Sequence, residues 1–407
     1  MGKRKLSLTA QIVLGLALGV AVGIILQPNP SVAADYIRPI GTIYLNLIKT
    51  IVVPVVVLSI IQGVISLQDI KRVGSIGLGT VLFYMCTTAL AVTVGLALAN
   101  VLQVGAGYQL PAGELLFQSQ DAPPFMQTII NIFPSNFLAP MAEGAMLPTI
   151  MIALLIGFGT VLAGEKGQRL SELVDSAAEV AYRIMALILA LSGIGVFALI
   201  CPVIAENGLQ VLLPLLKVIM VAYIGYAIHM AVVYSATVGL LAKISPLAFF
   251  KAMIRPGLVA FSSASSVAAL PFNLEAVEKL GAKKEICGFV LPLGMTINMD
   301  GTAIYQGICT IFVAQIFGIS LDFTQQLTVV LTATLASIGT AGVPGAGMIM
   351  LAMVLQSVGL PVEGIALVAG IDRILDMGRT AVNIAGDAAC ALCISARFSK
   401  KDISHTD

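Results

Sequence analysis

The segment ILDMGRTAVNIAGD, residues 374–387, places charged side chains in an otherwise apolar part of the chain. On a helix, five polar residues of this segment and its N-terminal flank follow one another at intervals of three or four positions and share one face. The sequence therefore predicts a helix with a polar stripe formed by Asp372, Asp376, Arg379, Asn383 and Asp387. Arg373 is next to the stripe in sequence but points elsewhere.

The composition makes such a stripe costly. Of the 407 residues, 58% are hydrophobic and only 11% are charged, and the mean hydropathy is +1.00. Soluble domains carry about 25% charged residues, so the chain is predicted to be an integral membrane protein. A charge at the centre of a bilayer costs about 2.5–3.5 kcal/mol on insertion scales. We expect bound ligands to compensate the stripe; internal salt bridges that only hold a helix bundle together are the alternative.

Eight apolar segments are predicted to cross the membrane, at 9–27, 37–65, 74–104, 125–163, 176–204, 206–243, 285–317 and 362–396. Lys and Arg are concentrated in alternate connections, at 3–5, 71–72, 166–169, 243–255, 279–284 and 397–401. Cytoplasmic loops are enriched in these residues, so both termini are expected in the cytoplasm.

Two further apolar segments, 246–280 and 322–358, are predicted to be re-entrant helical hairpins. They contain FSSASSVAALPF and ASIGTAGVPGAGM, clusters of small residues that favour a chain reversal. Each flank is too short to cross the membrane, and non-helical backbone at that depth must be buried in protein or line a cavity. A kinked ordinary helix is the alternative. Each hairpin precedes a helix with polar residues at mid-span, and interrupted segments in corresponding halves indicate the binding site of a transporter.

The charges of the predicted site indicate its ligands. The carboxylates of Asp300, Asp376 and Asp387 are opposed by one guanidinium, which leaves a net charge of −2, since Asp372 and its neighbouring arginine are expected to cancel. An acidic amino acid adds one negative charge, so two or three bound monovalent cations would neutralise the site. Oxygen ligands from Asn, Asp, Thr and free carbonyls suit sodium.

Two residues of the stripe predict a receptor for a zwitterion with an extra carboxylate. The planar guanidinium of Arg379 matches a carboxylate in a way that Lys cannot. Asp376 lies one turn earlier and is placed to hold an ammonium group.

Three motifs resemble the glutamate transporter family, the dicarboxylate/amino acid:cation symporters. They are NMDGT at 298–302, SIGTAGVPGAG at 337–347 and DMGRTAVNIAGD at 376–387, and the likeness covers nearly the whole chain in span order. The resemblance implies a homotrimer with no nucleic acid as partner. The short loops favour a prokaryotic plasma membrane as its location. It also implies a scaffold formed by 9–65 and 125–205, and a transport core formed by 74–104 and 206–398 that moves as an elevator.

The resemblance further implies which residues bind. The substrate side chain would meet Arg379 and Thr302, its amino group would meet Asp376, and the second hairpin would gate the site. The full substrate set is Arg379, Asp376, Thr302, Asn383, Thr380, Ser266, Val343 and Gly347. One sodium site would use Gly294, Asn298, Asn383 and Asp387. A second would use Thr296, Met299, Ser337, Ile338 and Thr340, and a third Tyr84, Thr87, Thr88, Asn298 and Asp300.

Two departures from the family pattern affect these expectations. Val267 and Ala269 replace hydroxyl residues common at the tip of the first hairpin. Gln306 stands where proton-coupled vertebrate relatives carry a glutamate, and a neutral amide favours coupling to sodium alone.

His229 has no carboxylate near it in sequence and is interpreted as helix packing.

Several alternatives remain at this stage. Within the family they are a proton-coupled glutamate carrier, a C4-dicarboxylate carrier and a cystine carrier; a dicarboxylate without an amino group would not need Asp376. From other classes, an ion channel or an intramembrane aspartyl protease using Asp300 and Asp387 would also place charges in the membrane. The amino-acid-shaped receptor favours a transporter rather than an enzyme.

Overall fold

The structure, a computed structural model, describes residues 8–66, 75–106, 130, 133–143, 145–337 and 346–403. All regular secondary structure in these ranges is helical. The predicted all-α class is therefore confirmed for this part of the chain. The basic residues at 3–5 and 71–72, on which part of the topology prediction depends, lie outside it.

The first three predicted spans agree with three helices of the structure. These are α1 (Leu8–Leu26), α2 (Arg38–Ser66) and α3 (Ser75–Leu102).

The fourth predicted span, 125–163, is not one continuous helix in its described part. Two helices, α4 (Ala139–Glu143) and α5 (Met146–Leu162), follow non-helical backbone at 133–138. The cause is local, because the side chain of Asn136 accepts hydrogen bonds from the backbone N–H groups of Leu138 and Ala139, at 2.8 and 2.9 Å. Asn in this position competes with helix and favours a helix start instead.

The fifth predicted span, 176–204, is a bent pair of helices rather than one helix. α6 (Gln168–Ala190) and α7 (Ser192–Asn207) meet at an angle of 50°. The bend falls beside the Ser192–Gly193 pair, and such pairs are a known cause of kinks. A Cβ added at Gly193 would overlap the backbone of Gln11, so this glycine also lets α7 pack closely on α1.

The second half of the chain contains the helices that build the site. They are α8 (Leu212–His229), α9 (Pro246–Ser263), α10 (Ser266–Lys279), α11 (Lys284–Ile297), α12 (Asp300–Ile316), α13 (Phe323–Ser337), α14 (Ala346–Ser357) and α15 (Asp372–Ile403). Two π-helical segments, Met230–Tyr234 and Thr237–Ala242, follow α8.

The predicted chain reversal in the first hairpin is present between α9 and α10, which pack on each other. Ala264 ends α9 in the left-handed conformation with φ +49°, and Ser265 begins α10 by accepting a hydrogen bond from the N–H of Ala268. The predicted reversal of the second hairpin falls on residues 338–345, which lie outside the described residues.

The predicted break at mid-span of the seventh segment is present between α11 and α12. Asn298 and Met299 leave the helical conformation there, and α12 begins at Asp300. Nearly every residue of α12 is buried, whereas a helix at a lipid or water surface exposes one face. The polar groups at its start therefore lie in the interior of the protein.

Three helical stretches of the described chain are long and apolar enough to cross a bilayer: Ile76–Leu102, Leu213–Ala242 and Asp372–Phe398. The bent pair formed by α6 and α7 would add a fourth if it counts as one span. These findings support a multi-pass membrane protein. The arrangement of eight spans with two re-entrant hairpins stays a prediction.

Candidate substrate and cation sites

The polar stripe of α15 faces the inside of the molecule. Its members are buried, and α15 packs against both halves of the broken segment, α11 and α12. Glycine allows the close approach to α12, because a Cβ at Gly301 would overlap the backbone of Arg379.

Arg379 is the centre of the first cluster, and its side chain is only 2% exposed. Its Nε donates to Asp376 at 2.8 Å, and its Nη1 donates to Asp372 at 2.9 Å. The guanidinium carbon lies 4.6 Å from the ring centre of Tyr305, which is the geometry of a cation–π contact. Gly347 of α14 borders the same guanidinium so closely that a Cβ there would overlap it.

The expected pairing of Asp372 with its neighbour Arg373 is wrong. Asp372 pairs with Arg379, while Arg373 lies 3.6 Å from Asp376 and donates to the backbone carbonyl of Ser263 at 3.2 Å. The cause is helical geometry, since consecutive residues point in different directions and partners three or seven residues apart share a face. The charges of two carboxylates and two guanidinium groups therefore cancel in this cluster. The carbonyl that accepts from Arg373 lies at the end of α9.

A second cluster lies where the helix breaks at Asn298. Its side-chain Nδ2 donates to the carbonyl of Asn383 at 2.8 Å and to Asp387 at 2.9 Å. Its Oδ1 is buried and has no hydrogen-bond partner among the described residues. Gly294 completes the cluster, because a Cβ at this position would overlap both the carboxylate of Asp387 and the hydroxyl of Tyr84. A buried amide oxygen beside a carboxylate is a suitable environment for a hard cation.

Asn383 connects this cluster to the start of α12. Its Oδ1 accepts from the N–H of Gly301 at 2.8 Å, and its Nδ2 lies 3.3 Å from the sulfur of Met299 and 3.4 Å from the hydroxyl of Thr302. The structure thus brings together three residues of the predicted site, Met299 and Thr302 from the broken segment and Asn383 from the stripe.

A third cluster surrounds Asp300, whose side chain is fully buried. Thr88 donates to Oδ1 at 2.7 Å, and Tyr234 donates to Oδ2 at 2.9 Å. The ring nitrogen Nε2 of His229 lies 3.2 Å from Oδ2. The interpretation of His229 as helix packing is therefore corrected. Its carboxylate partner is distant in sequence and reaches it only through folding.

Other residues of the predicted site contact their own helices instead. Each of these hydroxyls donates to a backbone carbonyl three or four residues earlier: Thr87, Thr296, Ser337 and Thr380. Ser266 is buried at the start of α10. Ile338, Thr340 and Val343 lie outside the described residues.

Sequence reasoning missed several polar contacts of the site. Tyr234 and Tyr305 look like ordinary apolar-helix residues, and Asn273 of α10 donates to the carbonyl of Ile384 at 3.0 Å. The amide of Asn273 stands in an otherwise apolar helix of the first hairpin, and this was the sequence feature that could have indicated its contact with Ile384.

The site combines a buried arginine–carboxylate cluster with two carboxylates that lack Arg and Lys partners in the described chain. Broken helices hold these groups, and this arrangement is typical of a secondary transporter. The chain belongs to the sodium:dicarboxylate symporter family, whose profile matches residues 8–397. This family consists of symporters, so the chain is not an enzyme and the aspartyl protease alternative is wrong.

Characterised relatives match over almost the full length. A protein of Bacillus caldotenax named proton/sodium-glutamate symport protein is 38% identical, covering 96% of this chain and 94% of the relative. The proton/glutamate-aspartate symporter of Escherichia coli K12 is 36% identical, over 96% and 93%. A C4-dicarboxylate transport protein of Bacillus subtilis is 31% identical, also over 96% and 93%.

Proposed function

We propose that the protein is a secondary active symporter that imports an acidic amino acid, aspartate or glutamate, together with sodium ions. The names of the relatives with the higher identities support an acidic amino acid as substrate. Those names include both protons and sodium, so the choice of coupling ion depends on the site itself.

The observation that carries the choice of substrate is the environment of Arg379. Its guanidinium is buried and already binds two carboxylates, Asp372 and Asp376. A substrate carboxylate can take the place of Asp372, because both present the same pair of oxygens to a planar donor. Asp376, which lies beside Arg379 and Arg373, would then bind the substrate ammonium, a role that a C4-dicarboxylate would leave unfilled. The other proposed substrate ligands are Thr302, Asn383, Thr380, Ser266, Val343 and Gly347.

Charge supports sodium coupling. With the arginine cluster neutral, Asp300 and Asp387 carry the net charge of −2, and neither has an Arg or Lys partner among the described residues. Two cations would neutralise them, and a third would balance the substrate. The proposed cation ligands form three groups. One contains Asp387, Asn298 and Gly294, another contains Asp300 and Thr88, and the last lies at the second hairpin.

The residues proposed for the first two of these cation sites contact one another across different helices, which supports this grouping. Gln306, buried in α12, is a neutral amide, which favours sodium over protons as the coupling ion.

The proposed architecture follows the family. A homotrimer would be held by the scaffold, 9–65 and 125–205, while the core, 74–104 and 206–398, moves substrate and ions across the plasma membrane. The clusters support the assignment of the core, because α3, α8, α11, α12 and α15 all contribute to them.

Transport by the purified protein in proteoliposomes tests the proposal. Labelled aspartate or glutamate should exchange against unlabelled substrate, and the reversal potential should shift with the sodium gradient. A reversal potential that follows only the proton gradient would establish the proton-coupled alternative. Flux without exchange would indicate a channel, and uptake of succinate in preference to aspartate would indicate a C4-dicarboxylate carrier.

A further inference from the structure

The carboxylate of Asp300 is compensated differently from those of the arginine cluster. Asp372 and Asp376 are neutralised by guanidinium groups, whereas Asp300 meets two hydroxyls and one imidazole. Asp300 also lies in the first turn of α12, where the helix dipole favours a negative charge. These groups stabilise a carboxylate through hydrogen bonds and the helix dipole.

The π-helical segment explains how His229 and Tyr234 reach the same oxygen. The two residues are five apart, and on an α-helix they would point about 140° away from each other. The wider turn of a π-helix, with bonds from i to i+5, brings residue i+5 back above residue i. The π-helical segment Met230–Tyr234 begins directly after His229. The two rings then pack edge to face, with centroids 4.9 Å apart and planes at 84°.

The imidazole is held to Asp300 through one of its two nitrogens. Its Nε2 lies 3.2 Å from Oδ2, whereas Nδ1 is buried without a hydrogen-bond partner among the described residues. Tyr234 adds a connection to the stripe, because its hydroxyl also lies 3.2 Å from the carbonyl of Val382 on α15.

We propose that His229 and Tyr234 form a positioning pair that holds the Asp300 carboxylate in place for a transported cation. The pair rests on the proposed sodium symport and adds two residues to the proposed cation site around Asp300. Neither residue needs to touch the cation. Each orients Oδ2 by a hydrogen bond, which leaves Oδ1, beside the hydroxyl of Thr88, for the ion.

The test compares variants that keep or remove the donor. His229→Gln retains an N–H donor on a chain of similar reach, whereas His229→Leu removes it, and Tyr234→Phe removes one hydroxyl. Tyr226→Phe is the matched control, since it deletes a buried hydroxyl of the same helix whose acceptor is the backbone carbonyl of Leu375. Each variant is assayed in proteoliposomes for substrate KM at saturating sodium and for the sodium concentration of half-maximal uptake.

Loss of a hydrogen bond to a buried charge should raise the sodium concentration of half-maximal uptake about tenfold or more. This increase is expected in His229→Leu and Tyr234→Phe, with substrate KM at saturating sodium changed less than about threefold. His229→Gln and Tyr226→Phe should behave like the wild type. Equal impairment of the Gln and Leu variants would overturn the donor role, because packing volume would then be the cause.

The two proposals fail in different ways. An unchanged sodium dependence in Tyr234→Phe, the mildest variant, would reject the pair while leaving sodium symport intact. Uptake by the wild type that does not respond to sodium would reject the proposed function itself.

Discussion

Arg379 and Asp372 lie seven residues apart on α15 and meet at two points. Nη1 lies 2.9 Å from one carboxylate oxygen, and Nη2 lies 3.4 Å from the other. This side-by-side contact of two planar groups is the geometry in which a guanidinium binds any free carboxylate. In the proposed function, the substrate and Asp372 therefore compete for the same face of Arg379.

Replacing this arginine should change what the protein carries. Arg379→Cys is expected to abolish uptake of aspartate and glutamate, because Asp372 and Asp376 would repel an anion once the guanidinium is gone. Neutral amino acids should then enter, since Asp376 can still bind their ammonium group. Uptake of labelled acidic and labelled neutral amino acids into proteoliposomes measures both effects. Arg397→Cys, at an exposed position near the end of the same helix, is the control, and unchanged aspartate uptake in Arg379→Cys would refute the role of Arg379.

A methyl group at Gly347 should disturb the substrate site alone. Gly347→Ala places a Cβ where the guanidinium of Arg379 lies, so the arginine must move or tilt. We expect the substrate KM to rise about tenfold, as for the loss of one charged hydrogen bond. Gly257→Ala is the control, because no atom lies within 4 Å of a Cβ added there. Equal KM values for the two variants would show that Gly347 does not border the substrate.

A methyl group at Gly294 should disturb the cation site. Gly294→Ala forces a Cβ onto the carboxylate of Asp387 and the hydroxyl of Tyr84. The sodium concentration of half-maximal uptake should rise by about tenfold or more. Gly288→Ala, on the same helix and facing open space, should leave it unchanged. A sodium dependence that is the same in both variants would remove Gly294 and Asp387 from the proposed sodium ligands.

The contact between α10 and α15 should be visible as stability. Asn273→Ala removes the hydrogen bond to the carbonyl of Ile384, which then keeps only its bond within α15. The expected loss is about 0.5–1.5 kcal/mol in the free energy of unfolding. Thermal denaturation of the detergent-solubilised protein measures it, with the exposed Asn46→Ala as control. A melting temperature equal to that of the control would mean that this bond does not hold the hairpin to α15.

The sequence alone determined the features that depend on local pattern. The period of the charged residues predicted the polar face of α15, and the glycines and amide of GMTINMDGT predicted the break between α11 and α12. The small residues near Ala264 predicted the reversal between α9 and α10. Each of these depends on neighbours within a few positions, where helical geometry and backbone preference leave few options.

Only the tertiary structure decided which polar groups meet. Spacing could not predict the pairing of Asp372 with Arg379 rather than Arg373, or the contact of His229 with Asp300. In an apolar interior a polar group pairs with whichever partner folding brings within about 3 Å. For His229 that partner is 71 residues away and is reached only because a π-helical turn rotates the chain.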